Sequence, residues 1–264
     1  MDRSSTQATP EVAVERLGSV PDDFVDYAHD KVTAVFRYAP EPVLFARVKL
    51  SMAANPAVGR PAMAQANLDV NGRLVRAQVA AETMFEAIDE LHDRLQRRLG
   101  RISKQWEARR GGRPLPELHE WRHGSEPAGR PDYSPLPVEE REIVRRKSFT
   151  LASETPDEAA FDMETLDYEF LLFTDAETGQ DSVIYHSDGG YRLAQVEPEP
   201  DRKDPVAVPL TISPHPAPRL SVSEATERLD TTGLPWVFFV DDSTGRGNVL
   251  YRRYDGNYGL ITPA

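Results

Sequence analysis

Phe173-Thr174-Asp175-Ala176-Glu177-Thr178-Gly179 returns later in the chain as Phe239-Val240-Asp241-Asp242-Ser243-Thr244-Gly245. Outward from it, Val183-Ile184-Tyr185 returns as Val249-Leu250-Tyr251. Asp188-Gly189-Gly190-Tyr191-Arg192-Leu193 returns as Asp255-Gly256-Asn257-Tyr258-Gly259-Leu260, one residue out of step, and upstream Glu158-Ala159 aligns with Glu224-Ala225. A near-constant offset marks a small module that occurs twice. In the first copy Thr155-Pro156-Asp157-Glu158 reads as a helix entry, with proline at the first helical position and acids in the first turn. A short helix to about residue 167 precedes strands at 169–174, 182–186 and 191–196. The second copy predicts a helix at 221–230 and strands at 236–240, 248–252 and 258–262. Residues 142–151 look extended, and the proline-rich connector 197–218 holds one candidate strand at 206–212.

The first half of the chain has a different pattern. Val12 and Val14 suggest a short strand, and Pro21-Asp22-Asp23 opens a helix whose apolar residues, Phe24 to Phe36, repeat at helical spacing. Leu44, Ala46, Val48 and Leu50 alternate with polar positions, as do Ala64, Ala66, Leu68 and Val70, so both stretches read as strands. Asn71-Gly72 signals a tight hairpin into a third strand at 73–80. Phe85, Ile88, Leu91, Leu95, Leu99, Ile102 and Trp106 form one stripe of a long helix. The fold class is therefore α+β: an N-terminal β-α-β-β-β-α domain at 11–106, a sheet with two helices on one face, plus two repeated small α+β modules. A Gly-, Pro- and Arg-rich linker at 107–139 leads to module 1 at 140–197. Module 2, with its connector, occupies 198–264.

Composition narrows the function. Cysteine is absent, which removes disulfides, thiolate metal sites and cysteine nucleophiles. No secretory signal and no membrane-length apolar run is visible, so the expectation is a cytoplasmic protein with no membrane partner. The net charge of −12 is unevenly placed: residues 1–113 carry 17 basic and 15 acidic side chains, and residues 114–264 carry 14 and 28. Any phosphate-binding surface belongs to the first half. Arg94, Arg97, Arg98, Arg101 and Lys104 lie off the apolar stripe of the long helix and gather on one flank, the pattern of a phosphate-contacting edge. Lys31, Arg37, Arg47, Lys49 and Arg76 extend that patch if sheet and helices converge. The competing reading is a solvated helix face, the usual use of a charge run.

Catalytic signals are weak. His119-Glu120-Trp121-Arg122-His123 matches H-E-x-x-H, a zinc-site spacing, yet it sits among prolines and glycines with no third ligand in view. A chance match is the better reading of His119 and His123, and no cofactor is expected. Neither a phosphate-cradling glycine loop nor a nucleophile elbow occurs.

Two regions of the chain resemble the long-form ribosome hibernation-promoting factors, with their S30AE-type N-terminal domain. The run Met84-Phe85-Glu86-Ala87-Ile88-Asp89-Glu90-Leu91-His92-Asp93-Arg94-Leu95-Gln96-Arg97-Arg98-Leu99 is similar to the family's second helix. Tyr27-x-x-x-Lys31 to Arg37-Tyr38 is similar to its first, and Tyr251-Arg252-Arg253-Tyr254-Asp255-Gly256-Asn257-Tyr258-Gly259-Leu260-Ile261 to its ending. Two C-terminal modules, and 26 arginines against 5 lysines, resemble the dormancy-associated branch of high-GC actinobacteria. The resemblance implies a non-enzymatic translation inhibitor of dormancy or stress. It would bind the 30S subunit of the 70S ribosome on 16S rRNA, in the messenger channel and the A and P tRNA positions. Lys31, Arg37, Arg94, Arg97, Arg98, Arg101 and Lys104 would contact the RNA, and a large-subunit contact through the C-terminal unit stays open.

The duplication itself predicts that the two modules pair within one chain as a pseudo-dimer, through their sheets and through Phe173, Tyr185, Tyr191, Phe239, Tyr251 and Tyr258. Single 70S particles would then be bound and not stapled in pairs. An alternative of another class is an acidic interaction module that captures a basic partner, such as a ribosomal protein or a polymerase subunit.

Overall fold

The computed structural model describes residues 10–18, 20–53, 59–110 (for 104–110 the helix backbone), 136–187, 189–199, 206 and 208–264. Among these, one compact unit comprises the residues up to 110 together with Thr165–Asp167, and a second comprises the rest. His119, Glu120 and His123 lie outside the described residues, as does most of the linker.

The first unit runs β1 (Glu11–Leu17), α1 (Asp23–Val35), a 3-10 turn (Phe36–Tyr38), β2 (Val43–Met52), β3 (Ala62–Val70), β4 (Arg73–Ala81) and α2 (Met84–Arg110). The strands form one sheet in the order β1-β2-β3-β4. β1 and β2 are parallel, joined across α1, and the other neighbours are antiparallel. This is the β-α-β-β-β-α order that the sequence predicts. Asn71 (φ 50°) and Gly72 (φ 87°) both take left-handed backbone, which a two-residue hairpin turn requires. Strict alternation on β3 buries Ala62, Ala64, Ala66, Leu68 and Val70 beneath the helices, and the small alanines let α2 approach the sheet.

A capping box starts α2: Glu86 N–H donates to Thr83 Oγ1 at 3.3 Å, and Thr83 N–H donates to Glu86 Oε2 at 3.1 Å. Its stripe of Ile88, Leu91, Leu95, Leu99 and Ile102 is buried, and each such side chain contributes about 1.5–3 kcal/mol. Phe85 departs from the predicted stripe. It is 51% exposed and instead meets Phe24 and Tyr27 edge-on, with ring centres 4.8 and 5.1 Å away.

In the second unit the repeat is visible element by element. Module 1 has β5 (Ile143–Phe149), β6 (Ser153–Glu154), α3 (Pro156–Thr165), β7 (Phe170–Asp175), β8 (Asp181–Ser187) and β9 (Gly190–Gln195). Module 2 has β10 (Leu210–Ile212), β11 (Arg219–Leu220), α4 (Val222–Thr232), β12 (Trp236–Asp241), β13 (Gly247–Arg252) and β14 (Tyr258–Pro263). The stretch that betrays the duplication is the turn between the first two hairpin strands. Asp175 and Asp241 each accept a turn N–H, from Glu177 at 3.1 Å and Ser243 at 2.8 Å, and Gly179 and Gly245 close it at φ 67° and 68°. Both helices start with capping boxes, Thr155 with Glu158 and Ser221 with Glu224. Tyr191 Oη donates to Glu164 at 3.0 Å, as Tyr258 Oη does to Asp230 at 2.5 Å.

The sheets do not follow the module boundaries. One has the order β10-β9-β8-β7-β6 and the other β11-β12-β13-β14-β5. Each module's leading strand lies, in parallel, on the last strand of the other module's sheet. The exchange covers an edge that each sheet would otherwise leave open. The two-residue strands β6 and β11 carry no period of their own and went unpredicted.

Between the two sheets lies a separate apolar cluster of Leu151, Leu172, Val183, Phe238 and Val249. Phe170, Tyr185, Ala194, Ala217, Trp236 and Ile261 pack around it. This corrects the predicted set of pairing side chains. Phe173 and Tyr191 belong to module 1's own core, and Phe239 and Tyr258 to module 2's. Strand alternation is the reason: Phe173 and Phe239 point towards their own helices, and their neighbours Leu172 and Phe238 point across. Tyr185 reaches Trp236 (4.9 Å between ring centres) and Tyr251 reaches Phe170 (6.1 Å), so these two of the six do sit between the modules.

Candidate nucleic-acid interface

Of the ten cations singled out in the first unit, the nine with described side chains are divided between the two sides of its sheet. Arg47, Lys49 and Arg76 alternate with Ala46, Val48, Leu50, Val75 and Ala77, which are buried under the helices. They therefore lie on the sheet face that the helices leave uncovered. Strand register aligns Arg47, Asn67 and Arg76 in one cross-strand row. Arg47 pairs with Glu15 of β1, and that hydrogen bond holds the guanidinium above its ordinary pKa. Arg76 donates to Gln78 at 2.8 Å and Gln65 at 3.3 Å. The condition for one shared patch, convergence of this row with the helical arginines, is not met, because the sheet lies between them.

On the helical side, Lys31 of α1 bonds Asp89 of α2 at 2.6 Å, and Tyr27 Oη donates to the same carboxylate at 2.7 Å. The Lys31 ammonium also sits 5.1 Å from the Tyr27 ring centre. The bond to Asp89 raises the Lys31 pKa, and the same bond lowers that of Asp89. Arg37 donates to Tyr38 Oη at 2.7 Å and stacks on its ring.

The long helix divides its arginines. Arg97 is exposed and donates to the Asp93 carbonyl at 3.3 Å; among the described residues no carboxylate pairs with it. Arg101 is half-buried, and the side chain of Lys104 lies outside the described residues. Arg94 and Arg98 turn inward. Arg94 is 8% exposed, and the two guanidinium groups meet one carboxylate, Asp167, at 2.5 and 2.6 Å. Asp167 also accepts the Gln78 N–H on the outer edge of β4 at 2.9 Å. Its backbone is left-handed, φ 57°, unusual for a residue other than glycine. The sequence pattern alone sets Arg94 and Arg98 on the same phosphate-facing flank as Arg97. It contains no sign of Asp167, which lies far along the chain at the end of a short predicted helix.

No group of three or more potential metal ligands occurs among the described residues, and no described helix is long and apolar enough to cross a membrane.

Fold and surface together describe a mixed sheet-and-helix domain with cations on both faces, followed by a duplicated module. Residues 16–106 match the family model for sigma 54 modulation protein / S30EA ribosomal protein, and residues 138–193 and 212–260 each match that family's C-terminus. The chain belongs to the sigma 54 modulation/S30EA ribosomal protein family. Over 229 residues it is 40% identical to a dormancy associated translation inhibitor of Mycobacterium tuberculosis, covering 83% of this chain and 76% of the relative. A ribosome hibernation promotion factor of Deinococcus radiodurans is 29% identical over 177 residues, covering 64% and 88%. The N-terminal domain of Thermus thermophilus Protein Y shares 29% identity over 36% of this chain and 98% of its own, with a TM-score of 0.29.

Proposed function

We propose that this chain is a ribosome hibernation factor that silences translation during dormancy or stress, by binding and without catalysis. It acts in the cytoplasm on the 30S subunit, alone and within the 70S ribosome. The first unit lies on 16S rRNA in the decoding and messenger-channel region and excludes tRNA and mRNA. Support comes from the family membership, and from relatives named for ribosome hibernation and translation inhibition. The observation that carries the RNA contact is the exposed Arg97 on α2, for which no carboxylate partner occurs among the described residues; Arg101 and Lys104 follow it along the sequence. Such a guanidinium pairs with phosphate and releases counterions on doing so. Lys31, Arg37, Arg47, Lys49 and Arg76 add contacts at the edges and on the open sheet face. Arg94 and Arg98, held by Asp167, contribute only in the minor fraction of bound protein in which that carboxylate releases them.

In this reading the paired modules take the place that two chains would take in a dimer, so one chain loads onto one ribosome. The exchanged strands β5 and β10 and the shared apolar cluster support it. Sucrose-gradient sedimentation of purified ribosomes with the protein tests both parts. The protein should travel with 30S and 70S particles, suppress messenger-dependent translation and generate no 100S peak. A 100S peak defeats the one-ribosome reading, and absence from the 30S fractions defeats the site.

A further inference from the structure

We infer that the modules are matched to each other and not to copies of themselves, and that the selector is Asp181 and Arg246 with Gly247. The inference deepens the intramolecular pairing proposed above and rests on it. Aligning the repeats makes Gln180 and Asp181 the counterparts of Arg246 and Gly247. In the structure Asp181 meets both Arg246 and Gly247, whereas the Gln180 side chain bonds Glu199 and the Glu197 N–H. Asp181, only 6% exposed, accepts two bonds from the Arg246 guanidinium, 2.7 Å from Nε and 3.0 Å from NH2. It also accepts the Gly247 N–H at 2.8 Å.

Gly247 is there for space. Its φ is not in the left-handed region, but a Cβ added to it would stand 2.8 Å from the Asp181 Cβ and 2.8 Å from the Phe238 ring. The carboxylate on one side thus fits because the facing residue has no side chain. The neighbouring apolar cluster is unequal in the same sense. Leu151 corresponds to Ala217, Leu172 to Phe238, Ala194 to Ile261 and Phe170 to Trp236, and all eight lie in or against the cluster.

Each self-pairing loses this match. Two copies of module 1 would set Asp181 against Asp181, with Gln180 where the guanidinium belongs. Like charges forced together without a cation are strongly unfavourable when dehydrated. Two copies of module 2 would set Gly247 against Gly247, leaving a void between two arginines that have lost their acceptor. Only the mixed pair satisfies the carboxylate and fills the space. Since both halves are on one chain, the tethered partner also has the higher effective concentration. A second chain is therefore refused as a C-terminal partner.

Transposition in the full-length protein tests this. Gly247→Asp places two carboxylates face to face and should lower the thermal midpoint of the second unit by about 10 °C. Adding Asp181→Gly should recover at least half of that loss, and adding Gln180→Arg with Arg246→Gln should recover more, because the selector is then rebuilt the other way round. If Gly247→Asp alone yields no folded protein, folding of the fourfold variant is the recovery. A double variant no more stable than Gly247→Asp alone would overturn the inference. So would wild-type protein whose sedimentation coefficient rises with concentration through C-terminal association. Both measurements use ribosome-free protein, so failure to bind ribosomes would refute the proposed function and leave the selector standing.

Discussion

Asp167 is the residue whose removal tells most about the basic helix. Its carboxylate is 4% exposed and bonds Arg94, Arg98 and the Gln78 N–H. Arg94 keeps two further buried nitrogens, Nε and NH1, without a hydrogen-bond partner. Asp167→Asn keeps the shape, tolerates the left-handed φ and can still accept from Gln78. It removes the charge that balances two buried guanidinium groups, a loss of about 3 kcal/mol in stability. The same change frees Arg94 and Arg98 for phosphate. Each new phosphate contact adds close to one to the slope of log affinity against log salt, so the variant should bind 30S subunits more tightly and steepen that slope by about two. Fluorescence anisotropy of labelled protein titrated with 30S subunits over a range of salt concentrations measures both quantities. Unchanged affinity and slope in a folded variant would mean that Arg94 and Arg98 are structural, and would remove them from the RNA contact.

Three other outcomes follow from particular contacts. Burial, then the nearby Asp162 and Glu158, push the Glu154 carboxyl up from 4.5 to about 7. The charged form is thus disfavoured in the fold: Glu154 costs nothing below its ordinary pKa, and its penalty grows with rising pH until it is complete above about 7. Glu154→Gln should therefore stabilise the protein by on the order of 1–2 kcal/mol near pH 8, after discounting for partial exposure, and by much less near pH 5, as read from urea midpoints. Gly259→Ala should destabilise by about 1–3 kcal/mol, because its Cβ would come 2.3 Å from the Tyr251 ring; an unchanged midpoint would show that the ring moves aside freely. Tyr258→Phe removes a buried hydroxyl bonded to Asp230 and should cost about 1–2 kcal/mol by the same measurement.

The sequence made some features legible and hid others for physical reasons. Period-two and helical spacing are local, so β2, β3, β4 and the stripe of α2 were readable. The Asn71-Gly72 turn was readable because left-handed backbone restricts residue choice. The repeat exposed both modules because its Asp-to-Gly turn has fixed chemistry. Strand exchange was not readable: β5 and β10 pair with partners far along the chain, and nothing local distinguishes an edge strand from an exchanged one. A one-residue choice of sheet face separates Phe173 from Leu172, so four of the six predicted pairing residues face their own module's core instead. The cations were legible as residues off the apolar stripes, but not their division between the open sheet face and the helical side. Which of them face solvent was settled by Asp167 and Asp89, whose roles depend on tertiary placement.

Hydroxyl-radical footprinting of 16S rRNA in 30S subunits tests the central claim most directly. The account predicts that wild-type protein protects phosphates lining the decoding centre and messenger channel, and that Arg97→Glu with Arg101→Glu abolishes that protection while the protein stays folded. Protection of that region by the doubly substituted protein at wild-type concentrations, or wild-type protection confined to some other surface, would contradict it.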